Sequence, residues 1–138
     1  MSMSVSLLLE TAKGRDVVEL GLCMAIHDVC NDCQFENCTP LDFANFLNVR
    51  EEAKAIAVMP KEKLRVCYMV YVVAQNISSR KEAEAWARLF LQRCNIAKSY
   101  YDKHRSDICA DYAMEDNQNY RKSIDNAIEE WRSRRRTP

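Results

Sequence analysis

The densest chemistry in the chain lies in one short stretch. His27, Cys30, Cys33 and Cys38 follow one another closely, with Cys23 just upstream. Three thiolates and an imidazole suit a tetrahedral, closed zinc site in which the metal would contribute to folding. On a helix, Cys23, His27 and Cys30 stand at i, i+4 and i+7 and share a stripe. That stripe also carries Asp16 and Glu19, so it is expected to lie off the main core face. The spacing is less specific than the composition. Zinc sites usually pair two knuckles, or one knuckle with a distant His/Cys pair, and only a single knuckle is present here. His104 and Cys109 are the distant candidates. The run lacks the second cysteine group of an iron–sulfur motif. The knuckle also follows its helix, away from the helix-start field that activates redox thiols. The competing reading makes the cysteines small core residues, and Cys67, Cys94 and Cys23 need nothing more. The expectation is no cofactor, with zinc on His27, Cys30, Cys33 and Cys38 as the alternative.

A second group of residues suits recognition. Arg132, Arg134, Arg135 and Arg136 cluster near the carboxy terminus, and Lys98, Tyr100, Tyr101, Lys103, His104 and Arg105 interleave bases with aromatics. Arginines contact phosphates and tyrosines stack on exposed bases, so a nucleic-acid partner is a further alternative. The plainer reading is that arginines offset the negative pole of a last helix and that the tyrosines continue a core stripe. The segment from Phe43 to Val49 faintly suggests the start of a helix-turn-helix. The following helix would open on Arg50-Glu51-Glu52, with acids where phosphate should be attracted. Signs of catalysis are thin. The chain has no glycine-rich phosphate loop, nucleophile elbow, HExxH or paired Glu-x-x-His, and Asp107-x-Cys109-x-Asp111 reads as turn chemistry. The expectation is a protein that is not an enzyme.

These residues need elements to position them, and the pattern predicts helices. The 138 residues are 48% hydrophobic, with only two glycines and three prolines. That is enough apolar side chain for one core and too few turn residues for a sandwich or barrel. The expected fold is all-α, a single domain over 1–138 formed by a bundle of about five helices near 4–32, 40–58, 60–77, 79–105 and 115–135. The first would bend near Gly14, with Asp16 favouring the positive end of its second part. Thr39-Pro40-Leu41-Asp42 is a helix start, with a hydroxyl cap, proline at N1 and an acid at N3, and the helix is expected to run to about Val58, with an interruption near Asn48 as the alternative. Ser79 to Glu82 reads as a capping box opening a stripe of Ala83, Trp86, Phe90, Ala97, Tyr100 and Tyr101. In the last helix Tyr120, Ile124, Ala127, Ile128 and Trp131 share one side, and Glu130 and Arg134 pair at i,i+4.

Net charge is zero but uneven. Residues 1–59 carry four basic and nine acidic side chains, a balance of −5, which leaves +5 for the remainder. Such halves would attract within one fold or between copies. The longest apolar run, Val66–Ala74, is far shorter than the roughly 20 residues of a bilayer span, so no membrane partner is expected. No export signal is recognisable, and with an odd cysteine count the expected location is the cytoplasm. What remains is interaction: a small helical binding or assembly module contacting another protein or a second copy of itself. Tyr120, Trp131, Arg132, Arg134, Arg135 and Arg136 are its candidate contacts, since aromatics and arginine are favoured at interfaces.

Overall fold

The turn-poor sequence folds as helices. The computed structural model describes residues 16–110 and 112–136, and among them there are six α-helices and no strands. In chain order they are α1 (Leu20–Cys30), α2 (Pro40–Leu47), α3 (Lys63–Ala74), α4 (Arg80–Arg93), α5 (Lys98–His104) and α6 (Glu115–Arg136), with a 3-10 turn at Asp107–Cys109. The expected helical stretch before Asp16, with its bend at Gly14, lies outside the described residues, as do the positions of Asp111 and of the Arg136 side chain. No described helix is long and apolar enough to cross a membrane.

Both predicted caps form. Thr39 Oγ1 accepts the Asp42 N–H at 3.1 Å and Ser79 Oγ accepts the Glu82 N–H at 3.3 Å, each satisfying one orphan donor of a first turn. Helix α1 starts differently from expectation. Its first flanking residue is Glu19, without a side-chain cap, and Asp16 pairs instead with Arg50.

Two expected helices stop early, for the same local reason. The stretch 79–105 is two helices, because Asn95 takes a left-handed conformation (φ 57°) just past α4. There the Asn95 N–H donates to Gln92 O at 3.0 Å and the Ile96 N–H to Leu91 O at 2.9 Å. This is a Schellman stop, and Ile96 and Leu91, both buried, supply its apolar contact. The stretch 40–58 ends at Leu47 by the same pair of bonds, from Val49 N–H to Phe46 O and from Arg50 N–H to Asn45 O, both 3.1 Å. Here Val49 carries the positive φ (58°). Residues 50–62 are not helical, so no second helix of a helix-turn-helix follows.

That irregular segment is held by backbone pairing. The Glu36 N–H donates to Ala57 O at 3.0 Å and the Met59 N–H to Gln34 O at 2.9 Å, while Glu36 Oε1 accepts the Ala57 N–H at 2.9 Å. Met59-Pro60-Lys61-Glu62 then makes a tight turn (Glu62 N–H to Met59 O, 3.2 Å; Lys61 φ 68°) that delivers α3. This is type II geometry, with proline at i+1 and a positive φ at i+2.

One contiguous core joins the elements. Phe35, Phe43, Phe46, Trp86 and Phe90 meet edge-to-face or stacked at centroid distances of 5.3–6.4 Å. The Trp86 indole N–H donates to Leu47 O at 2.6 Å, satisfying a carbonyl that the end of α2 leaves free. Helix α1 packs on α2 and α6, and α3 packs on α4, α5 and α6. Gly21 lets α6 come close: a Cβ there would lie 3.1 Å from Trp131 Cδ1. Asn48, buried, ties the chain before α1 to the end of α2. Its Oδ1 accepts the Val18 N–H at 2.8 Å, and its amide donates to Val18 O at 3.0 Å and Ala44 O at 3.1 Å.

Candidate functional site

The cysteine–histidine stretch forms the end of α1 and the loop after it, and its side chains diverge. Cys23 and Cys30 are fully buried, which corrects the expectation that their stripe lies off the core. Because α1 begins only at Leu20, Asp16 and Glu19 do not extend that stripe as helix. Leu22, Cys23, Ile26, His27 and Cys30 are the buried face instead. The Cys30 thiol points toward α6, 4.0 Å from the Tyr120 hydroxyl, whereas Cys33 is exposed. His27 Nε2 donates to the Cys38 carbonyl at 2.7 Å and its ring packs on Phe43. Asn31 closes the loop, its Oδ1 accepting the Cys38 N–H and its amide donating to Asn37 Oδ1, both at 2.9 Å. Among the described residues no three His, Cys, Asp or Glu side chains are grouped to hold a metal ion. His27, Cys30, Cys33 and Cys38 are thus not gathered round one point, and the first and last are joined by a hydrogen bond to backbone.

Burial makes the thiols poor nucleophiles. It pushes Cys23 and Cys30 up to about 12 and Cys67 up to about 11, because a thiolate there would be stripped of water. His104, the other histidine, bonds Asp107 at 2.6 Å beside the 3-10 turn.

The proposed contact residues of α6 separate into two sets. Tyr120 and Trp131 are each only 7% exposed and belong to the core, so they are not available to a partner. The physical reason is the stripe they share with Ile124 and Ile128, which faces α1 and α3. The Tyr120 hydroxyl donates to Arg65 O at 2.9 Å. The arginines are exposed but engaged. Arg132 Nε donates to Asn76 Oδ1 at 3.0 Å, Arg134 pairs with Glu130 at 2.5 Å, and Arg135 pairs with Glu19 at 3.2 Å while lying over the Trp131 ring. Likewise Lys63 covers one face of the Tyr100 ring at 4.3 Å.

A concavity lies elsewhere, between α3, α4 and α5. It is an open cleft of about 660 Å³. Tyr71 and Tyr101 line it together with the small side chains of Ala74, Ala83 and Ala87, and Arg80, Arg88, Lys98 and Arg105 supply its charge. Glu84 is the one acidic lining residue. Arg80 pairs with Glu84 at 3.4 Å and Lys98 with Asp102 at 2.6 Å. Arg105 stands 4.0 Å from Asp102, and its guanidinium lies 5.1 Å over Tyr71 and 5.7 Å over Tyr101. Arg88 is exposed and has no ion pair or hydrogen bond among the described residues.

Sequence reasoning singled out Lys98 and Arg105 but not their neighbours on α4. The available signal was the i, i+4, i+8 stripe of Arg80, Glu84 and Arg88, two cations with one acid between them on a single helical face. What brings that stripe opposite Lys98 and Arg105 is the Asn95 stop, which turns α5 back beside α3. Comparison of the chain with protein-family models, with curated proteins and with solved structures found no match.

Proposed function

We propose that this chain is a non-catalytic interaction module that binds an acidic segment of a partner protein in the α3–α4–α5 cleft. The observation that carries the reading is the cleft itself: open, and lined by four cations against one acid and by tyrosines. Carboxylates of an extended segment would meet the guanidiniums, and its apolar side chains would rest on the alanines and tyrosine edges. Recognition of acidic motifs by arginine clusters works on this principle. The arrangement favours a protein over nucleic acid. Arg105 and Lys63 already cover one face of the tyrosines that would receive bases, and Arg132, Arg134 and Arg135 are engaged within the fold.

The test is fluorescence anisotropy with labelled peptides of alternating Glu and Leu, read at low and at physiological salt. Binding is expected to weaken with salt. It should fall about tenfold in Arg88→Glu, whose side chain is exposed and makes no ion pair among the described residues, which favours a variant that still folds. Peptides that bind neither form, or bind both equally, would overturn the reading. Retention of the chain on duplex DNA at physiological salt, with the peptides inert, would give the site to nucleic acid instead.

A further inference from the structure

We infer that the cleft's preferred ligand is a phosphorylated side chain of the partner, held by Arg88 and Arg105; this rests on the interaction reading above. The first argument is charge. The cleft and the acid beside it contain Arg80, Arg88, Lys98 and Arg105 against Glu84 and Asp102, a balance of +2. Two of the cations have close carboxylate partners, Arg80 with Glu84 and Lys98 with Asp102. Among the described residues the excess therefore resides on Arg88, which has no ion pair, and on Arg105, whose nearest carboxylate is 4.0 Å away. A single carboxylate would neutralise one of them, whereas a phosphomonoester, at about −1.5 to −2 near neutral pH, matches both.

The second argument is geometry. An arginine that is to grip phosphate with two parallel N–H bonds must hold its plane fixed. Arg105 is restrained by contact with two tyrosine rings, whose centroids lie 5.1 and 5.7 Å from its guanidinium carbon, and its carboxylate neighbour stays 4.0 Å away, beyond hydrogen-bonding distance. A lysine at this position would carry the charge without the fork. Space is the third argument. A cleft of about 660 Å³ with alanines at 74, 83 and 87 has room for a phosphate together with the side chain that bears it.

The experiment uses one acidic peptide in four forms, with tyrosine, phosphotyrosine, glutamate or phosphoserine at a central position, and measures the affinity of the full chain for each. Phosphate on at least one of the two side chains is expected to tighten binding by about tenfold or more over both tyrosine and glutamate. Inorganic phosphate should compete with the phosphopeptide. Arg105→Lys, which keeps the charge, should erase most of that gain while lowering the unmodified peptide's affinity by a much smaller factor, a split that general loss of structure would not produce. Equal affinity for all four peptides would overturn the phosphate inference and leave the acidic-segment reading standing. Failure of every peptide to bind would remove both. Adenosine monophosphate binding more tightly than either phosphopeptide would also overturn the inference, by making the ligand a small molecule.

Discussion

At the scale of single residues, buried polar groups carry most of the consequences. Asn48 spends its side chain on the N–H and carbonyl of Val18 and on the carbonyl of Ala44. Replacing it with alanine strands the Val18 groups away from water, and an unmet buried group costs about 1–3 kcal/mol. Asn48→Ala is therefore expected to destabilise by about 2–4 kcal/mol in urea unfolding, and Asn48→Asp by at least as much, since it removes the donor and adds a charge. The thiols give a second residue-scale expectation. Cys23 and Cys30 are raised from 9.0 to about 12 and Cys67 to about 11, so above pH 9 the unfolded chain loses protons that the folded chain keeps. Stability is then unaffected by these groups below pH 9 and falls as pH rises from 9 toward 12. A double variant, Cys23→Ala with Cys30→Ala, should show a shallower fall of the urea midpoint over that range. An unchanged slope would mean that these thiols are not protected. At neutral pH a thiol reagent should label exposed Cys33 and Cys109 quickly and the buried three only on unfolding.

At the scale of elements, starts were more legible than stops: an interruption near Asn48 was an open alternative, whereas the break at Asn95 was not foreseen. Thr39 with Pro40, and Ser79, announce their helices because a cap is a local event that needs only the side chain and the first turn. The stripe Tyr120, Ile124, Ile128 and Trp131 was legible as well, since burial follows helical period. A stop requires a residue to enter the left-handed region. Asn95 is a recognisable candidate for that, but Val49 is not, since a β-branched residue is among the least suited. Val49 is held there by what surrounds it, namely the Asn48 network and the backbone pairing of residues 34–36 with 57–59. The candidate cleft was half legible for the same reason: its charges stand in the sequence, while their convergence depends on Asn95. Lys61 offers the cleanest test of these stops, being exposed and at the left-handed position of its turn. An L-residue there costs about 1–2 kcal/mol, part of which glycine returns through its greater freedom when unfolded. Lys61→Gly is expected to stabilise by about 0.5–1 kcal/mol, and Asn95→Val to destabilise by about 1–2 kcal/mol, both read from thermal or urea unfolding. A destabilising Lys61→Gly would mean that this turn carries no left-handed strain.

At the scale of the whole molecule, α6 is the element that closes the structure, packing on α1, on α3 and on the 3-10 turn. Its ties are of two kinds and very unequal worth. Inside, Tyr120 reaches the Arg65 carbonyl, Tyr68 on α3 donates to Asp125 at 2.6 Å, and Trp131 fills the space that Gly21 leaves on α1. Outside, Arg132 donates to Asn76 and Arg135 pairs with Glu19, while Arg134 pairs with Glu130 inside α6 itself; these exposed contacts are screened by solvent and salt, each worth no more than about 1 kcal/mol. Trp131→Ala should therefore destabilise by about 3–5 kcal/mol, the usual range for removing a buried aromatic. Replacing all three arginines by alanine should cost about 3 kcal/mol at most, and less at high salt. The comparison also separates folding from binding. Loss of a partner in Trp131→Ala would follow from loosening α1 from α6, so it says nothing about a contact surface. The arginine variant, in contrast, should keep both its fold and its affinity for acidic peptides, because the cleft lies on α3, α4 and α5. If that variant instead unfolds as readily as Trp131→Ala, the end of α6 is held by charge, and the opposite balances of the two halves of the chain are what close the molecule.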